Sequence, residues 1–200
     1  MMTYKLFLSL LLIILVSCSE SFDVDVSFGS SDSLNQGIDN AFESTYVPMY
    51  SQPILFRSAN IYDGLGGEFL NYDLLLSDGS IKEISKSISA PGVMVVDAVD
   101  KWITPGIIDI HSHMGVYSAP GVSTSSDGNE ATSPVTAEVW AEHSLWTQDP
   151  QFALALKGGV TTFHVLPGSA NLFGGRGATF KNISRNTIQA MKFPGAPHSL

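Results

Sequence analysis

The stretch "WITPGIIDIHSHMG", residues 102–115, places two histidines one residue apart at the end of an apolar run. Its β-branched residues and the Pro-Gly pair before them predict a buried strand. Residues i and i+2 of a strand point to the same face, so His111 and His113 project together, with Asp109 on the same side. Two neutral imidazoles placed in this way can bind a divalent metal ion. The alternative is a pair of exposed or separately hydrogen-bonded histidines, because His-x-His alone is not a specific signal.

Short β-rich runs precede this strand. "ILFRSANIYDG" ends in a turn, "YDLLLSDGSIKEIS" predicts a hairpin at Asp78-Gly79, and "GVMVVDA" predicts a further strand. Together they indicate a small β-sandwich of short antiparallel strands.

A different pattern follows the histidines. After a long polar loop, residues 136–159 predict a helix with a break at Asp149-Pro150, where Asp149 caps the second part. "VTTFHVL" is then a second buried strand. Strand, helix and strand in this order predict parallel βα units.

The composition is that of a globular chain, with 44% hydrophobic and 14% charged residues among 200. The formal net charge is −9, from 10 basic and 19 acidic residues. Nucleic acid is therefore not an expected partner, since binding to phosphates needs a basic face. A single cysteine, Cys18, rules out an intrachain disulfide.

The first residues carry the pattern of a bacterial lipoprotein signal. The apolar run of residues 6–16 is too short to span a bilayer comfortably, and "LVSC" follows it, ending at Cys18. This resembles a lipobox, which predicts a signal peptide at residues 1–17, a lipid on Cys18 and a place on the periplasmic side of a bacterial membrane. Ser19 favours the outer membrane over the inner one. The Ser-, Asp- and Asn-rich residues 18–50 are expected to form a flexible tether.

Four motifs of the chain occur in the order found in one known family. "ANIYDG", "LLLSDGSIKEI" and "VDAVDKWITPGIIDIHSHMG" resemble, in turn, two strands of the β-sandwich and the entry to the catalytic barrel of the amidohydrolase superfamily. "ALKGGVTTFHVLPGSANLFGGRG" resembles the second βα unit of its imidazolonepropionase-like branch. The resemblance implies an α/β fold, with β-sandwich strands in residues 51–104 and the first part of a (β/α)₈ TIM-like barrel in residues 105–200. The barrel is expected to be incomplete here, because a full one needs about 250 residues.

This resemblance also implies an activity. The full-length protein would be a metal-dependent hydrolase of carbon–nitrogen bonds in a small amide-type substrate, not of ordinary peptide bonds in proteins. His111 and His113 would be metal ligands, with Zn²⁺ favoured and one or two ions bound. No catalytic residue is assigned within these 200 residues, since the other ligands and the catalytic aspartate are expected after Leu200. The alternative is a catalytically inactive binding lipoprotein of the same fold; the substrate and the oligomeric state stay open.

Other side chains are weaker candidates for the site. Asp109 either orients one imidazole or is a buried residue at the barrel floor. Glu130, in the long polar loop, is a candidate substrate contact, with a solvated loop acid as the alternative. Asn171, in the Gly-rich loop after the second barrel strand, is a candidate for the pocket wall. His143 and His164 are expected to be structural, because active groups of such barrels cluster at the carboxyl ends of strands.

Overall fold

The computed structural model describes residues 42–196 and 198–199. The expected signal peptide, the lipidation site and the first part of the tether lie outside these residues. Within the described part, no helix is both long enough and apolar enough to cross a membrane. Residues 42–50, the last part of the expected tether, form no helix or strand. They nevertheless hydrogen bond to the second half of the chain, where the Thr45 N–H donates to the Gln189 carbonyl (3.0 Å).

One mixed sheet comprises the strands β1 (Ile54–Tyr62), β2 (Glu68–Ser77), β3 (Ser80–Ser85), β4 (Met94–Asp97) and β5 (Trp102–Ile103). The strand order is β3-β2-β1-β4, and β5 also pairs with β1. The predicted hairpin is confirmed, since β2 and β3 are antiparallel and Asp78 and Gly79 both have positive φ. The expectation of antiparallel strands throughout was wrong, because β4 and β5 run parallel to β1. Residues 86–93 carry the chain from β3, at one edge of the sheet, to the far side of β1. β4 therefore runs in the same direction as β1 and not opposite to it.

A second, three-stranded sheet has the order β6 (Ile107–Ser112), β7 (Val160–Val165) and β8 (Ala178–Lys181). β6 and β7 are parallel, and the helix α1 (Gln151–Lys157) lies between them in sequence, as the βα prediction requires. A second short helix, α2 (Ile188–Met191), follows β8. Three stacked rings form the centre of the core, with Phe163 between Phe152 (5.1 Å) and Phe180 (5.8 Å).

The predicted helix over residues 136–159 was wrong for its first half. Only α1 is α-helical there, and the Ala141–Ser144 segment is a single 3₁₀ turn. The backbone of this region pairs instead with a distant loop: Thr136 N–H donates to the Phe173 carbonyl (2.8 Å) and Ala141 N–H to the Arg176 carbonyl (2.9 Å). An α-helix would have paired the Ala141 N–H within itself, so its bond to Arg176 replaces helical pairing at that position.

β8 differs from the expectation of further parallel βα units. It runs antiparallel to β7, with Thr162 opposite Lys181 and His164 opposite Thr179. A parallel crossover usually needs a connection of a dozen or more residues that includes a helix. Residues 166–177 contain no helix, so the chain turns directly back.

β6 carries large apolar side chains that remain in water. Ile108 and Ile110 are 62% and 77% exposed, although their type is normally buried. Within the described residues β6 pairs with β7 on one side only. Strands of a closed parallel barrel are covered on both faces and both edges, so β6 has the composition of such a strand without its full surroundings.

Candidate functional site

The two histidines lie at the carboxyl end of β6, where the sequence places them. Their rings are adjacent, with centroids 5.2 Å apart and planes at 88°. The ladder between β6 and β7 is irregular just before them: Asp109 pairs with Phe163 and Ser112 with Val165, so β6 has one more residue than β7 in this interval. Such a bulge re-aims the side chains beside it and is common next to functional sites.

Asp109 acts on the backbone of the bulge. Its Oδ1 accepts a hydrogen bond from the His111 N–H (3.1 Å), which stabilises the irregular stretch. Among the contacts of the described residues, the Asp109 carboxylate does not reach an imidazole nitrogen. In this structure Asp109 holds the strand in the shape that presents the histidines.

His113 has a fixed orientation. Its Nδ1 lies 2.9 Å from the carbonyl oxygen of Leu166, the first residue after β7. A carbonyl oxygen can only accept, so Nδ1 carries a proton, and in the neutral ring Nε2 then keeps its lone pair. The Leu166 N–H in turn donates to the Ser112 carbonyl (3.0 Å), and this bond holds Leu166, whose carbonyl bonds His113, against β6. Metal-binding histidines are typically held in this way through the nitrogen that does not coordinate.

The turn after His113 is anchored by a residue distant in sequence, Asp149. Its buried carboxylate, 3% exposed, accepts the N–H groups of Gly115 (2.9 Å) and Ala119 (3.3 Å). It also accepts from the N–H and side-chain amide of Gln151 (3.0 and 2.9 Å) at the start of α1. Gly115 has φ of 83°, and a Cβ there would lie 2.5 Å from the Leu145 side chain. The chain therefore needs glycine at this turn.

Two loops follow β6 and β7 and are hydrogen-bonded to each other. We call them the β6 loop (residues 113–150) and the β7 loop (residues 166–177). Their backbones bond directly, for example from Gly168 N–H to the Gly128 carbonyl (2.6 Å) and from Arg176 N–H to the Val139 carbonyl (2.7 Å). Asn171 joins them as well, since its amide donates to the carbonyls of Glu130 and Ser133. Asn171 thus holds the loops together.

A cavity of about 490 Å³ opens between these loops. Both loops line it, and three of its residues are acidic: Asp127, Glu130 and Glu138. Neither His111 nor His113 is among its lining residues, but Pro167, next to the carbonyl that holds His113, is. Glu130 therefore lies on a cavity wall, as the candidate role of a substrate contact requires.

The other histidines lie apart from the pair. His164 bonds Thr179 Oγ1 (2.9 Å) and Ser199 Oγ (2.6 Å), and burial, followed by the nearby His198, lowers its pKa. His198 is itself partly buried beside Glu142 (3.6 Å). Burial and the Lys192 charge lower the pKa of His198 more than Glu142 raises it. His143 was expected to be structural, but its half-exposed side chain lines the cavity.

One charged pair was not identified from the sequence. Glu142 is fully buried and Lys192 is 5% exposed, and their Oε2 and Nζ atoms are 2.5 Å apart. The residues are fifty positions apart, so no local spacing pattern connects them. Only the placement of two polar residues within otherwise apolar packing distinguishes them.

The histidine pair supplies only part of a metal site. No group of three or more His, Cys, Asp or Glu side chains within the described part of the chain could hold a metal ion. Zinc in proteins takes three or four protein ligands. His113, with its free Nε2, and the adjacent His111 fit the donor chemistry of such a site, and further ligands would have to come from outside the described residues.

No protein-family model matches the chain. Among curated proteins, the amidohydrolase tasK of Hapsidospora irregularis is 35% identical over 155 residues, which is 68% of this chain and 16% of that protein. A 5-methylthioadenosine/S-adenosylhomocysteine deaminase of Pyrococcus furiosus is 31% identical over 42% of this chain and 18% of its own. A dihydroorotase of Caldanaerobacter subterraneus subsp. tengcongensis is 38% identical over 30% of this chain and 14% of its own. The chain thus spans less than a fifth of the length of these relatives.

The comparison with solved structures agrees with the sequence comparison. A solved amidohydrolase structure from Thermotoga maritima matches 71% of this chain with a TM-score of 0.64 and 36% identity, and 37% of that chain is covered. The predicted α/β class is thereby confirmed, as a strand-rich partial domain consistent with an incomplete TIM barrel. Sequence and fold together relate the chain to the amidohydrolase superfamily.

Proposed function

We propose that this chain supplies the first metal-binding strand and the first substrate loops of a hydrolase that cleaves carbon–nitrogen bonds in a small amide-type molecule. The single observation that carries the proposal is the hydrogen bond from His113 Nδ1 to the Leu166 carbonyl, which leaves Nε2 as a free and oriented donor atom. Relatives named amidohydrolase, deaminase and dihydroorotase support this reaction class. Within that class, a position near the imidazolonepropionase-like branch is the finer part of the proposal.

The metal is part of this proposal. His111 and His113 would hold a divalent ion, with zinc favoured, and one or two ions are compatible with two ligands from this strand. A bound ion would supply Lewis-acid polarisation of the substrate and a nucleophile at neutral pH. The chain itself orients His113 through Leu166, holds the bulge through Asp109 and forms an acidic cavity between the loops that follow β6 and β7.

The location is a second part of the proposal. The lipobox-like residues before Cys18 support a protein attached by lipid to the periplasmic side of a bacterial membrane, with the outer membrane favoured by Ser19. Its partners would then be the membrane, through that lipid, and a small-molecule substrate. The net charge of −9 argues against nucleic acid.

A substitution that separates ligation from local structure tests the metal assignment. In the full-length protein, His113→Asn keeps an amide N–H near the position of Nδ1, so the bond to the Leu166 carbonyl can persist while Nε2 is lost. We expect elemental analysis to show loss of bound metal, with loss of hydrolysis of small amides and an unchanged circular dichroism spectrum. His143→Asn is the matched control for metal content alone, because His143 lies outside the pair but on the cavity wall.

The outcomes distinguish the two candidate functions. Unchanged metal content in His113→Asn would contradict the assignment. Metal bound through His113 without hydrolysis of any amide in a broad panel would favour the alternative, an inactive binding lipoprotein.

A further inference from the structure

A short segment before the first sheet is bound to the loops of the proposed site. We call residues 42–47 the strap. Ser44 Oγ donates to the Lys192 carbonyl (2.7 Å), and Thr45 N–H donates to the Gln189 carbonyl (3.0 Å). Arg185 donates to the Val47 carbonyl (3.3 Å). The strap therefore lies along α2 and the residues next to it, on the side of the chain that follows β8.

Its first residue is bound by the buried ion pair. The Phe42 N–H donates to Glu142 Oε1 (2.9 Å), and the Phe42 carbonyl accepts from Lys192 Nζ (2.6 Å). Glu142 Oε2 and Lys192 Nζ bond each other at the same time. The ion pair thus provides hydrogen-bond partners for both the N–H and the carbonyl of Phe42. In return, the backbone of Phe42 provides one hydrogen-bond partner for Glu142 and one for Lys192.

This arrangement connects the strap to the cavity. Glu142 is part of the Ala141–Ser144 turn, and the neighbours Ala141, His143 and Ser144 line the cavity wall. The Phe42 ring also lies against the His143 ring, with centroids 4.8 Å apart. The strap thus reaches the cavity wall at two points, through the Phe42 N–H bonded to Glu142 and through the Phe42 ring against His143.

Loss of the bonds between Phe42 and the Glu142–Lys192 pair would be energetically costly. A buried carboxylate and ammonium are tolerated only when their hydrogen-bonding capacity is used, and removal of one partner leaves a costly unpaired group. Without Phe42, the Oε1 atom of Glu142 and one donor of Lys192 would lose their bonds in a largely buried site. Since the 3₁₀ turn has few hydrogen bonds of its own, such a loss would be relieved by movement of the turn.

We propose that the strap sets the shape of the cavity and that Glu142 is the positioning residue through which it acts. The role of the cavity in substrate binding rests on the proposed function; the mechanical link between strap and cavity wall does not. The strap orders the Ala141–Ser144 turn by giving the buried carboxylate of Glu142 a backbone hydrogen-bond donor besides Lys192.

Hydrogen exchange on the full-length protein tests this link directly. Phe42→Pro removes the N–H that Glu142 accepts, whereas Phe42→Ala keeps it and removes only the ring. Met49→Pro is the control for a proline in the same segment, at an exposed residue outside the strap. We expect the amides of Val139, Ala141 and His143 to exchange about 10- to 100-fold faster in Phe42→Pro, because a bond to a charged group is lost.

Exchange elsewhere identifies the cause. In the β2–β3 hairpin, which is remote from the strap in the first sheet, exchange should stay unchanged in all three variants. Phe42→Ala should give a smaller effect than Phe42→Pro, and Met49→Pro none. Unchanged exchange of the cavity turn in Phe42→Pro would overturn the proposal, and so would an equal increase in the hairpin, since that would be a general loss of stability.

A second variant approaches the same junction from the other side. Lys192→Gln removes the ammonium that binds both Glu142 and the Phe42 carbonyl, so it should also accelerate exchange of the cavity turn. Phe42→Pro and Lys192→Gln disrupt the same set of bonds among Phe42, Glu142 and Lys192. The exchange rate of the cavity turn in the double variant should therefore exceed that of the faster single variant by less than about threefold. Fully multiplicative effects on the exchange rate would show that strap and ion pair act separately and would refute the proposal. None of these readouts requires activity, so failure here is distinct from failure of the proposed function.

Discussion

Asp149 offers the sharpest test of how this chain builds the turn behind its histidine pair. All four groups that bond its carboxylate are donors: the backbone N–H groups of Gly115, Ala119 and Gln151, and the side-chain amide of Gln151. Each carboxylate oxygen accepts two of them. The substitution Asp149→Asn keeps the size and shape of the side chain but replaces one oxygen with an NH₂ group. In either orientation of the amide, that NH₂ faces two donors.

The magnitude follows from this geometry. The Gln151 side chain can turn towards solvent, but the buried Gly115 N–H cannot, and a buried N–H without an acceptor costs about 1–3 kcal/mol. In the opposite orientation, the N–H groups of Ala119 and Gln151 lose their acceptor instead. We therefore expect Asp149→Asn to lower the free energy of unfolding by about 2 kcal/mol. Asp149→Ala, which removes every acceptor and leaves a cavity, should cost about 4 kcal/mol.

Urea unfolding of the full-length protein, followed by near-ultraviolet circular dichroism, measures these differences. Asp127→Asn is the matched control, because Asp127 is an exposed carboxylate on the same loop and should change stability by less than about 0.5 kcal/mol. If Asp149→Asn were as stable as the wild type to within that margin, the carboxylate would not be the acceptor of these bonds.

Other parts of the chain give three further expectations. Metabolic labelling with palmitate should be lost in Cys18→Ala, and equal labelling of both proteins would contradict lipid attachment. Burial raises the pKa of the Asp73 carboxyl group, but bonds from Ile88 and Ser58 N–H and from Arg57 outweigh it and hold the pKa below its usual value. Asp73 should therefore stabilise the fold fully above about pH 4, and this stabilisation should be lost as the pH falls further. The difference in urea midpoint between wild type and Asp73→Asn should accordingly shrink at acid pH, and a constant difference would exclude this role of the carboxylate. Residues 18–200 expressed alone should aggregate and bind zinc weakly, because β6 exposes its isoleucines and supplies two ligands; a soluble monomer with a cooperative transition and tight zinc binding would refute this.

The sequence predicted those features that depend on local patterns. Alternation and β-branched residues identified β6 and β7, and Asp78-Gly79 identified the hairpin, because strand and turn preferences act over a few residues. The helix over residues 136–150 was overpredicted for a physical reason. Its apolar spacing fits a helix, but its backbone donors find acceptors in the β7 loop, and such tertiary bonds override weak local propensity.

The site was predictable only in part, for a similar reason. His111 and His113 can be chosen from spacing, but the parts that orient them come from elsewhere in the chain. The Leu166 carbonyl is 53 residues from His113, and Asp149 is 34 residues from Gly115. A carbonyl oxygen has no sequence signature at all, and a buried carboxylate is recognised only once its partners are known. The Glu142–Lys192 pair is undetectable from the sequence for the same reason.

The register between β6 and β7 controls the donor atom of His113. The carbonyl that fixes the ring belongs to Leu166, the residue after β7, and the N–H of the same residue donates to the Ser112 carbonyl of β6. A slip of one residue between these strands would withdraw that oxygen, free both ring nitrogens to exchange the proton, and remove the orientation of Nε2. The bulge stabilised by Asp109 opposes such a slip, because it gives the ladder one position where the strands fit. In the full-length protein, Asp109→Ala should therefore weaken metal binding more than it lowers the free energy of unfolding, because its carboxylate bonds the His111 backbone.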